Sequence, residues 1–547
     1  MKKLIFFIFL VTISNGKVIT QTDQKPHSLY PGITWQQTIG GSGREYGTCI
    51  INALDLGFAA TGYTNSTGSG LDDALVVKLS SDAELQWGAV IGGVKNDIAN
   101  SLIQTSDSCF IFVGATNSVS LDFYEDMFIA KLNVNGELLW SKIFGTTGWD
   151  IAYSIKQTND GGYIVAGYSS LTSTRYGILL VKFREDDTVE WSKFVENVGL
   201  ALLYPEVIQT SDDGYCIATT ADSVFGGQEM CLIKLNKFGL LQWSWAIGGT
   251  SIEEAVSVCQ TGDNGYALSG YTVSYGAGAP DLYIAKISST GTLQWTRTIG
   301  GDNDDYAFSI LNADDGGLIV AGESFTYGLG EIDMYIIKLD ASGKYLWGKT
   351  IGRSEFDFIR SIIHDYDGGY VAIGRSGNLN TSDVFLAKID SFGNSCGYST
   401  VPVPHIDSGG SIIKYPVVIN NMNITLNSVN PGMYSWGSIS KLCLTGSTNN
   451  SGSLPEKFSL HQNYPNPFNP VTKIKFDIPA SVETTRWVVS LIIYNIQGTE
   501  VAVLVNEQLK PGSYSVDWDG TAFASGVYFY SLVTDGFVET KRMVLVK

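Results

Sequence analysis

Short apolar runs, separated by turns that contain Gly, Asp or Asn, fill the chain between residues 30 and 397. From Trp140 to Trp191, three such runs each predict a short strand, at residues 151–157, 163–168 and 177–183. A fourth strand carries Trp191, and Asp160-Gly161-Gly162 forms a tight turn between the first two. The second run is apolar on both faces, which is typical of a strand covered by neighbouring sheets on both sides.

The same pattern recurs at intervals of 51 to 53 residues, marked by a tryptophan. These residues are Trp35, Trp87, Trp140, Trp191, Trp243, Trp295 and Trp347, and a further copy without a closing Trp follows the last of them. A fixed period built of short strands is typical of a β-propeller, in which each repeat forms one blade. A glycine near the end of most second strands, such as Gly167, indicates close backbone packing there.

The two ends of the repeat array determine the number of blades. The last copy, residues 358–390, has no fourth strand, and the strand that holds Trp35 has no hairpin partner before it. Pairing residues 32–39 with the last copy closes the ring and removes an exposed sheet edge. We therefore expect an all-β fold: over residues 30–397, a seven-bladed β-propeller of four-stranded blades closed by the N-terminal strand.

Strand direction places the tight turns on one face of this ring and the longer, variable loops on the other. Variable loops on a rigid scaffold are the usual place for binding, so we expect a ligand on the loop face. The Gly-to-Trp element at the start of the fourth strand, as in Gly136 to Trp140, resembles the tryptophan-docking repeat of pyrroloquinoline-quinone dehydrogenases. This short resemblance implies blade packing and not the cofactor.

The period breaks after residue 397. Residues 398–444 contain prolines and β-like pieces, and we expect a small β-rich extension that covers one edge of the ring. Cys396 and Cys443 bracket this segment and could form a disulfide. Residues 445–457 have the polar composition of a flexible linker.

Several alternating strands within residues 458–547 predict a small β-sandwich. The run QNYPNPFNP opens this segment, and further short motifs follow it to the C-terminus. The segment resembles the type A C-terminal sorting domain of proteins exported by the bacterial type IX secretion system. The matching signal positions include Gln462, Asn463, Tyr464, Pro465, Asn466, Pro467, Phe468, Asn469, Pro470, Gly498, Gly526 and Lys541. The resemblance implies recognition by the outer-membrane translocon and, in many members, removal by a cysteine-protease sortase.

Residues 1–16 have the pattern of a secretory signal peptide: Lys2 and Lys3, an apolar run over residues 4–13, and small residues at 14–16. The run is too short to span a bilayer, and no later segment is long enough for a transmembrane helix. We therefore expect a protein that is secreted or held at the outer-membrane surface.

Composition narrows the partners further. A net charge of −19 disfavours nucleic acid and anionic membranes, since both would repel the chain. The four His show no metal-ligand spacing, and the GxSxG match at residues 393–397 lacks the strand–turn–helix context of a nucleophile elbow. Residues 158–162 resemble the Asp-box of sialidases without its aromatic end, and an Asp-Gly turn explains them. We assign no catalytic residue and no cofactor.

One acidic position recurs just before the innermost strand of most repeats. It is occupied by Glu45, Asp97, Asp150, Glu253, Asp305 and Asp357, with Leu202 in the fourth repeat. Six carboxylates around the mouth of the central channel could hold Ca²⁺ or attract a cationic partner. Alternatively, each carboxylate caps the backbone N–H groups of its own inter-blade loop. Aromatic residues in the same loops could stack on sugars: Tyr46, Trp149, Tyr275, Tyr306 and Tyr327.

Three functions remain open. The sequence favours a secreted or cell-surface, non-catalytic binding propeller whose partner is a polysaccharide or a surface protein. A secreted propeller glycan hydrolase would need two or three carboxyl groups from unequal blades, one with a raised pKa. The third hypothesis is a structural component of a surface layer.

Overall fold

The residues that the computed structural model describes form 42 strands and no helix. The described residues are 34–119, 124–172, 175–196, 204–222, 225–378, 381–396, 398–402, 404–422, 424, 426–429, 432–435, 438–445, 458–463, 466, 468–479, 487–509, 512–521, 523–534 and 537–546. The expected signal peptide, Leu202, most of the linker, and Tyr464, Pro465 and Pro467 of the sorting motif lie outside this set.

Twenty-eight strands belong to the repeats. The strand that holds Trp35 and the first three blades consist of β1 Thr34–Gly40; β2 Glu45–Asn52, β3 Phe58–Thr64, β4 Asp73–Leu79 and β5 Leu85–Gly92; β6 Asp97–Gln104, β7 Phe110–Thr116, β8 Asp126–Leu132 and β9 Leu138–Phe144; β10 Asp150–Gln157, β11 Tyr163–Thr172, β12 Arg175–Phe183 and β13 Val189–Glu196. The remaining four blades consist of β14 Glu206–Gln209, β15 Tyr215–Asp222, β16 Gln228–Leu235 and β17 Leu241–Gly248; β18 Glu253–Gln260, β19 Tyr266–Thr272, β20 Asp281–Ile287 and β21 Leu293–Gly300; β22 Asp305–Asn312, β23 Leu318–Ser324, β24 Asp333–Leu339 and β25 Tyr345–Ile351; β26 Asp357–His364, β27 Tyr370–Gly377 and β28 Ser382–Ile389.

Each set of consecutive strands forms one antiparallel sheet, and β1 completes the seventh. Trp35 of β1 lies opposite Lys388 of β28, so the N-terminal strand supplies the missing outer strand of the last blade. The expected seven-bladed propeller closed by its N-terminal strand is confirmed.

The core lies in the seams between neighbouring blades. Seven clusters of buried apolar side chains each join two adjacent sheets. On β11, Ile164 belongs to the seam with the fourth blade and Val165 to the seam with the second. A strand with apolar residues on both faces therefore contributes to two seams, and each Val or Ile that it buries stabilises the fold by about 1.5–3 kcal/mol.

A fifth strand lines the outer edge of every blade. These strands are β29 Tyr398–Thr400, β30 His405–Asp407, β31 Ser411–Lys414, β32 Val418–Asn421, β33 Asn427–Ser428, β34 Gly432–Ser435 and β35 Ser438–Thr445. In this order they pair with β25, β21, β17, β13, β9, β5 and β1. Residues 398–445, which we name the outer belt, therefore travel backward around all seven blades and are not gathered at one edge of the ring. The belt covers edge strands that would otherwise expose unpaired backbone groups.

Cys396 forms a disulfide bond at the start of the outer belt. Gln36 donates a hydrogen bond from Nε2 to the carbonyl oxygen of Cys396 and lies opposite Cys443 in the β1–β35 register. Both cysteines that the sequence suggested as partners therefore flank Gln36. Five other cysteines are free thiols, namely Cys49, Cys109, Cys216, Cys231 and Cys259.

The C-terminal segment forms a separate sandwich. Its strands are β36 Ser459–Leu460, β37 Val471–Ile478, β38 Trp487–Tyr494, β39 Glu500–Leu509, β40 Gly512–Asp519, β41 Gly526–Thr534 and β42 Phe537–Leu545. They form one sheet of order β36-β37-β40 and another of order β39-β38-β41-β42 around a single apolar core. Trp518 is fully buried in this core, with ring centroids 5.3 Å from Phe468 and 5.2 Å from Tyr528.

Candidate functional site

The recurring acidic residues each begin an innermost strand, and all six are buried. Each accepts a hydrogen bond from the backbone N–H four residues earlier, at 2.6 to 2.9 Å. The acceptors and donors are Glu45 with Gly41, Asp97 with Gly93, Asp150 with Thr146, Glu253 with Gly249, Asp305 with Gly301 and Asp357 with Arg353. A hydroxyl at or just after the end of the second strand adds a further bond, as from Thr272 to Glu253 at 2.7 Å. This is the geometry of a cap on each inter-blade loop.

A second acidic position, at the start of the third strand, was not noticed in the sequence. It is occupied by Asp73, Asp126, Glu229, Asp281, Asp333 and Asp383. In several seams this carboxyl group and the loop cap of the next blade converge on one glycine. A Cβ on Gly92 would overlap Asp73 Oδ1 and lie 2.9 Å from Asp97 Oδ2. The glycine that ends the fourth strand is therefore required by a pair of carboxyl groups.

Burial raises the pKa of several of these aspartates above its ordinary value. Burial raises the pKa of Asp150 and Asp305 to about 7. Burial, with the charge of Asp97 as a second cause, raises the pKa of Asp73 to about 6. Within the described parts of the chain, no three His, Cys, Asp or Glu side chains are grouped so that they could hold a metal ion.

The opposite face carries a repeated ion pair. In the third blade, Asp160 accepts hydrogen bonds from Thr158 Oγ1 and Gly162 N, and its carboxylate lies 2.9 Å from the buried Lys182 Nζ. Equivalent pairs at 2.5 to 3.1 Å join Lys78 to Asp55, Lys131 to Asp107, Lys234 to Asp212, Lys286 to Asp263, Lys338 to Asp315 and Lys388 to Asp367. A lysine in the third strand therefore anchors the aspartate of this turn in each blade, which gives the Asp-box-like residues a structural role.

The blades differ from one another at the mouth of the central channel on the loop face. There the second residue of an innermost strand pairs with a residue near the C-terminal end of the second strand. These cross-strand pairs are Tyr46–Tyr63, Ile98–Ala115, Ile151–Tyr168, Glu254–Tyr271, Tyr306–Glu323 and Phe358–Arg375. Blades 1, 5, 6 and 7 thus supply charged and aromatic residues where blades 2 and 3 supply mostly aliphatic ones.

We name the following set the mouth cluster: Tyr46, Tyr63, Tyr204, Glu254, Tyr271, Tyr306, Phe308, Glu323, Phe358, Arg360 and Arg375. Its centre is Arg360 of the seventh blade, whose guanidinium lies 4.0 Å from the Phe308 ring and 5.4 Å from the Tyr46 ring. Burial raises the pKa of Tyr204, and the charge of Arg360 opposes this rise. Since Tyr204 precedes the fourth blade, the cluster extends across the channel.

The charged groups of the mouth cluster have different partners. Arg360 Nη1 donates to Glu323 Oε1 at 2.6 Å. Arg375 packs its guanidinium 4.0 Å from the Phe358 ring and 5.0 Å from the Tyr46 ring. Burial raises the pKa of Glu254, which shares a hydrogen bond with Tyr271.

The loop aromatics singled out in the sequence are divided between different surroundings. Tyr46 and Tyr306 belong to the mouth cluster, whereas Trp149 is 54% exposed and lies beside Tyr124. Tyr275 and Tyr327 pack against third-strand tyrosines of their own blades. The remaining cluster members occupy positions at which the blades differ, and a search for columns that recur in every blade misses them.

The sorting-motif residues that the structure describes hold the last strand of the sandwich. Gln462 Nε2 donates to the carbonyl oxygen of Arg542 at 2.8 Å, and Val544 N donates to Asn466 Oδ1 at 2.9 Å. Asn463 is buried, and its backbone N–H donates to Tyr530 Oη at 2.8 Å. Asn469 precedes Pro470, whose carbonyl oxygen accepts a hydrogen bond from Gly520 N. Gly498 occupies a turn and Gly526 begins β41. Lys541 forms an ion pair with Glu539 on β42.

Residues 462–547 match the sequence model of the secretion system C-terminal sorting domain. Such a tail marks proteins exported through the type IX system to the cell surface or the extracellular space, and it indicates that this chain is exported. Among curated proteins, none matches the chain. No helix in the described residues has the length and apolarity to cross a membrane.

The solved structures that are similar to the chain include the following three. PorZ, a surface component of the type IX secretion system of Porphyromonas gingivalis, is 13% identical with a TM-score of 0.38, and the match covers 90% of this chain but only 58% of PorZ. A Trypanosoma rangeli sialidase is 9% identical with a TM-score of 0.34, covering 64% and 54% of the two chains. An endo-arabinase from Bacteroides thetaiotaomicron is 11% identical with a TM-score of 0.27, covering 53% and 92%. At these values the similarities carry no argument about function.

Proposed function

We propose that this chain is a non-catalytic binding propeller, carried out of the cell by its type IX sorting tail, that holds a polysaccharide or a surface protein at the mouth cluster. The observation that carries the proposal is that the blades have different side chains at the mouth of the channel. The six recurring acids cap six inter-blade loops in the same way, whereas the mouth cluster collects aromatic and charged side chains from some blades only. Unequal side chains on a rigid scaffold are typical of a binding site.

The chemistry of the cluster suits a sugar. Partly exposed Tyr and Phe rings provide flat apolar surfaces with polar edges, on which the faces of sugar rings pack. Tyr204 is 41% exposed and adds one such ring at the channel. The charged groups beside these rings would fix the orientation of the ligand.

A second function, hydrolysis of a glycan, is favoured by one observation. Glu254 and Glu323 come from adjacent blades, and burial raises the pKa of both carboxyl groups. A general acid needs such a pKa. Binding is the better proposal because Glu323 is committed to Arg360 and Glu254 to Tyr271. A Glu254→Gln variant that abolishes release of reducing sugar would establish hydrolysis.

We propose the following organisation for the whole chain: a signal peptide at residues 1–16, the propeller at 30–397, a β-rich extension at 398–444, a linker at 445–457 and the sorting domain at 458–547. The translocon would bind the sorting domain, and a sortase would cut in the linker. The six loop caps would be structural and would need no Ca²⁺.

Thermal unfolding of the exported protein against a panel of polysaccharides tests the proposal. A ligand that binds only the folded ring raises the unfolding midpoint by mass action. We expect at least one polysaccharide to raise the midpoint without release of products. No shift with any polysaccharide or surface extract, or a shift accompanied by turnover, would contradict it.

A further inference from the structure

The mouth cluster holds one guanidinium without an anionic partner. We infer that the ligand of the mouth cluster is an acidic sugar, and that Arg375 binds its carboxylate. This inference rests on the proposed function and adds to it the chemical class of the ligand.

Arg375 is only 9% exposed, yet in the described chain it forms no ion pair and its Nε has no hydrogen-bond partner. Its neighbours are the rings of Phe358 and Tyr46, the like charge of Arg360 and, as a weaker influence, the carboxylate of Glu323, which is paired with Arg360. Burial lowers the pKa of Arg375. A buried charge that lacks a partner destabilises the protein, and an anionic ligand would relieve that cost.

The surroundings leave this charge uncompensated. Arg360 and Glu323 neutralise each other at 2.6 Å. The other carboxyl groups nearby are engaged as well, since Glu254 is bonded to Tyr271 and Asp304 accepts from Tyr306 Oη at 2.8 Å. The channel mouth therefore carries one uncompensated positive charge in a chain whose net charge is −19.

The repeat does not require an arginine at this position. The equivalent residues in five other blades are Tyr63, Ala115, Tyr168, Tyr271 and Glu323, none of them basic. The cation is thus a particular property of the seventh blade, beside the aromatic rings.

The geometry selects a carboxylate on a sugar ring. A guanidinium offers parallel N–H donors that match the two oxygens of a carboxylate. The half-buried ring of Tyr63, which stacks on the buried Tyr46 with centroids 5.2 Å apart, and the exposed ring of Tyr204 provide surface for the sugar itself. A uronic acid combines both features in one residue.

Calorimetric titration of the full-length protein compares carboxylated polymers (polygalacturonate, alginate and hyaluronan) and a sulfated polymer (dextran sulfate) with neutral ones (galactan and dextran). The variants are Arg375→Gln, Arg375→Lys and the matched control Arg184→Gln, which removes an exposed arginine from a turn of the opposite face. A charge-assisted hydrogen bond corresponds to a roughly 10- to 100-fold change in affinity. We expect an acidic polymer to bind most tightly, Arg375→Gln to lose about that much, and Arg184→Gln to match the parent.

The outcomes distinguish a failure of the acidic-sugar inference from a failure of the proposed binding function. If a neutral polymer binds as tightly as every acidic one, or if Arg375→Gln binds an acidic polymer unchanged, the inference fails while the binding function stands. If no polymer binds, the inference fails, and the proposed function is then decided by the thermal shift with surface extract. If a sulfated polymer binds tightly and the carboxylated ones do not, the choice of carboxylate is wrong. If Arg375→Gln does not fold, Arg375→Lys replaces it in the test, because lysine keeps the positive charge but lacks the paired N–H donors of the guanidinium. An unchanged affinity of Arg375→Lys for the acidic polymers would overturn the role of Arg375 as a carboxylate ligand.

Discussion

Asp281 and Asp305 come from neighbouring blades, and their carboxyl groups converge on Gly300. A Cβ at Gly300 would overlap Asp281 Oδ1 and lie 2.9 Å from Asp305 Oδ2. Gly92 and Gly352 repeat the arrangement with Asp73–Asp97 and Asp333–Asp357. The repeat therefore brings together one glycine and two acids in these seams, although the three residues are separated in the sequence.

Substitution of Gly300 by alanine should destabilise the ring, because the added methyl group displaces two buried carboxyl groups. Overpacking of this kind costs about 1–3 kcal/mol. The matched control is Gly262→Ala, where a Cβ would meet no atom within 4 Å. Denaturant unfolding should show a lower midpoint for Gly300→Ala alone, and equal midpoints would contradict the packing.

Stability should depend on pH in a direction set by the buried acids. An aspartate in an unfolded chain has a pKa near 3.9. Burial raises the pKa of Asp150 and Asp305 to about 7 and that of Asp281 to about 6. Between about pH 4 and 7 the folded protein therefore binds more protons than the unfolded chain, and the free energy of unfolding falls as the pH rises.

The unfolding midpoint should therefore be higher at pH 5 than at pH 8. Asp305→Asn removes one titrating group and should reduce this difference. Asp186→Asn serves as the control, because hydrogen bonds from Thr188 lower the pKa of Asp186 and place its titration below the window. A midpoint that rises steadily from pH 5 to pH 8 would contradict the account.

The disulfide of Cys396 should stabilise the ring by fixing the outer belt at the seam where the chain closes. Loss of a disulfide typically costs about 2–4 kcal/mol. Cys396→Ser should therefore unfold at a lower denaturant concentration, while the free-thiol control Cys109→Ser should not. Reducing agent should lower the midpoint of the parent and leave Cys396→Ser unchanged. A reductant effect in both proteins would argue against this role.

Export should depend on the core of the sorting domain. Replacing the fully buried Trp518 by alanine removes contacts with Phe468 and Tyr528, at a cost of about 3–5 kcal/mol. We expect the variant to be retained inside the cell, whereas Val538→Ala, at an exposed position of β42, should be exported normally. Immunoblots of cells and medium distinguish these outcomes, and normal export of Trp518→Ala would show that a folded sandwich is not needed.

The repeat could be predicted because it recurs, and its closure could be predicted because one blade lacks a strand. A tryptophan every 51 to 53 residues marks each blade, and the unpaired strand of Trp35 fits the one blade that lacks a strand. The outer belt could not be predicted in this way. Its strands are as short as Asn427–Ser428, and two residues cannot show an alternating pattern.

The candidate site was partly accessible to sequence reasoning. The sequence showed the column of acids at the start of the innermost strands. Their partners, such as Asp281, lie at the start of third strands, and only the fold brings the two sets of carboxyl groups together. Arg375 was missed for the opposite reason. It occupies a position at which the blades have different residues, and nothing in a single sequence distinguishes a functional difference of this kind from ordinary variation.

The most direct test of the binding account compares two exposed aromatic residues of the loop face. Tyr204 lies in the mouth cluster, and Trp149 lies outside it beside Tyr124. The measurement is the affinity of the exported parent, Tyr204→Ala and Trp149→Ala for the polysaccharide that gives the largest thermal shift. The account predicts that Tyr204→Ala binds at least several-fold more weakly and that Trp149→Ala binds like the parent. Loss of affinity in Trp149→Ala with full affinity in Tyr204→Ala would contradict it.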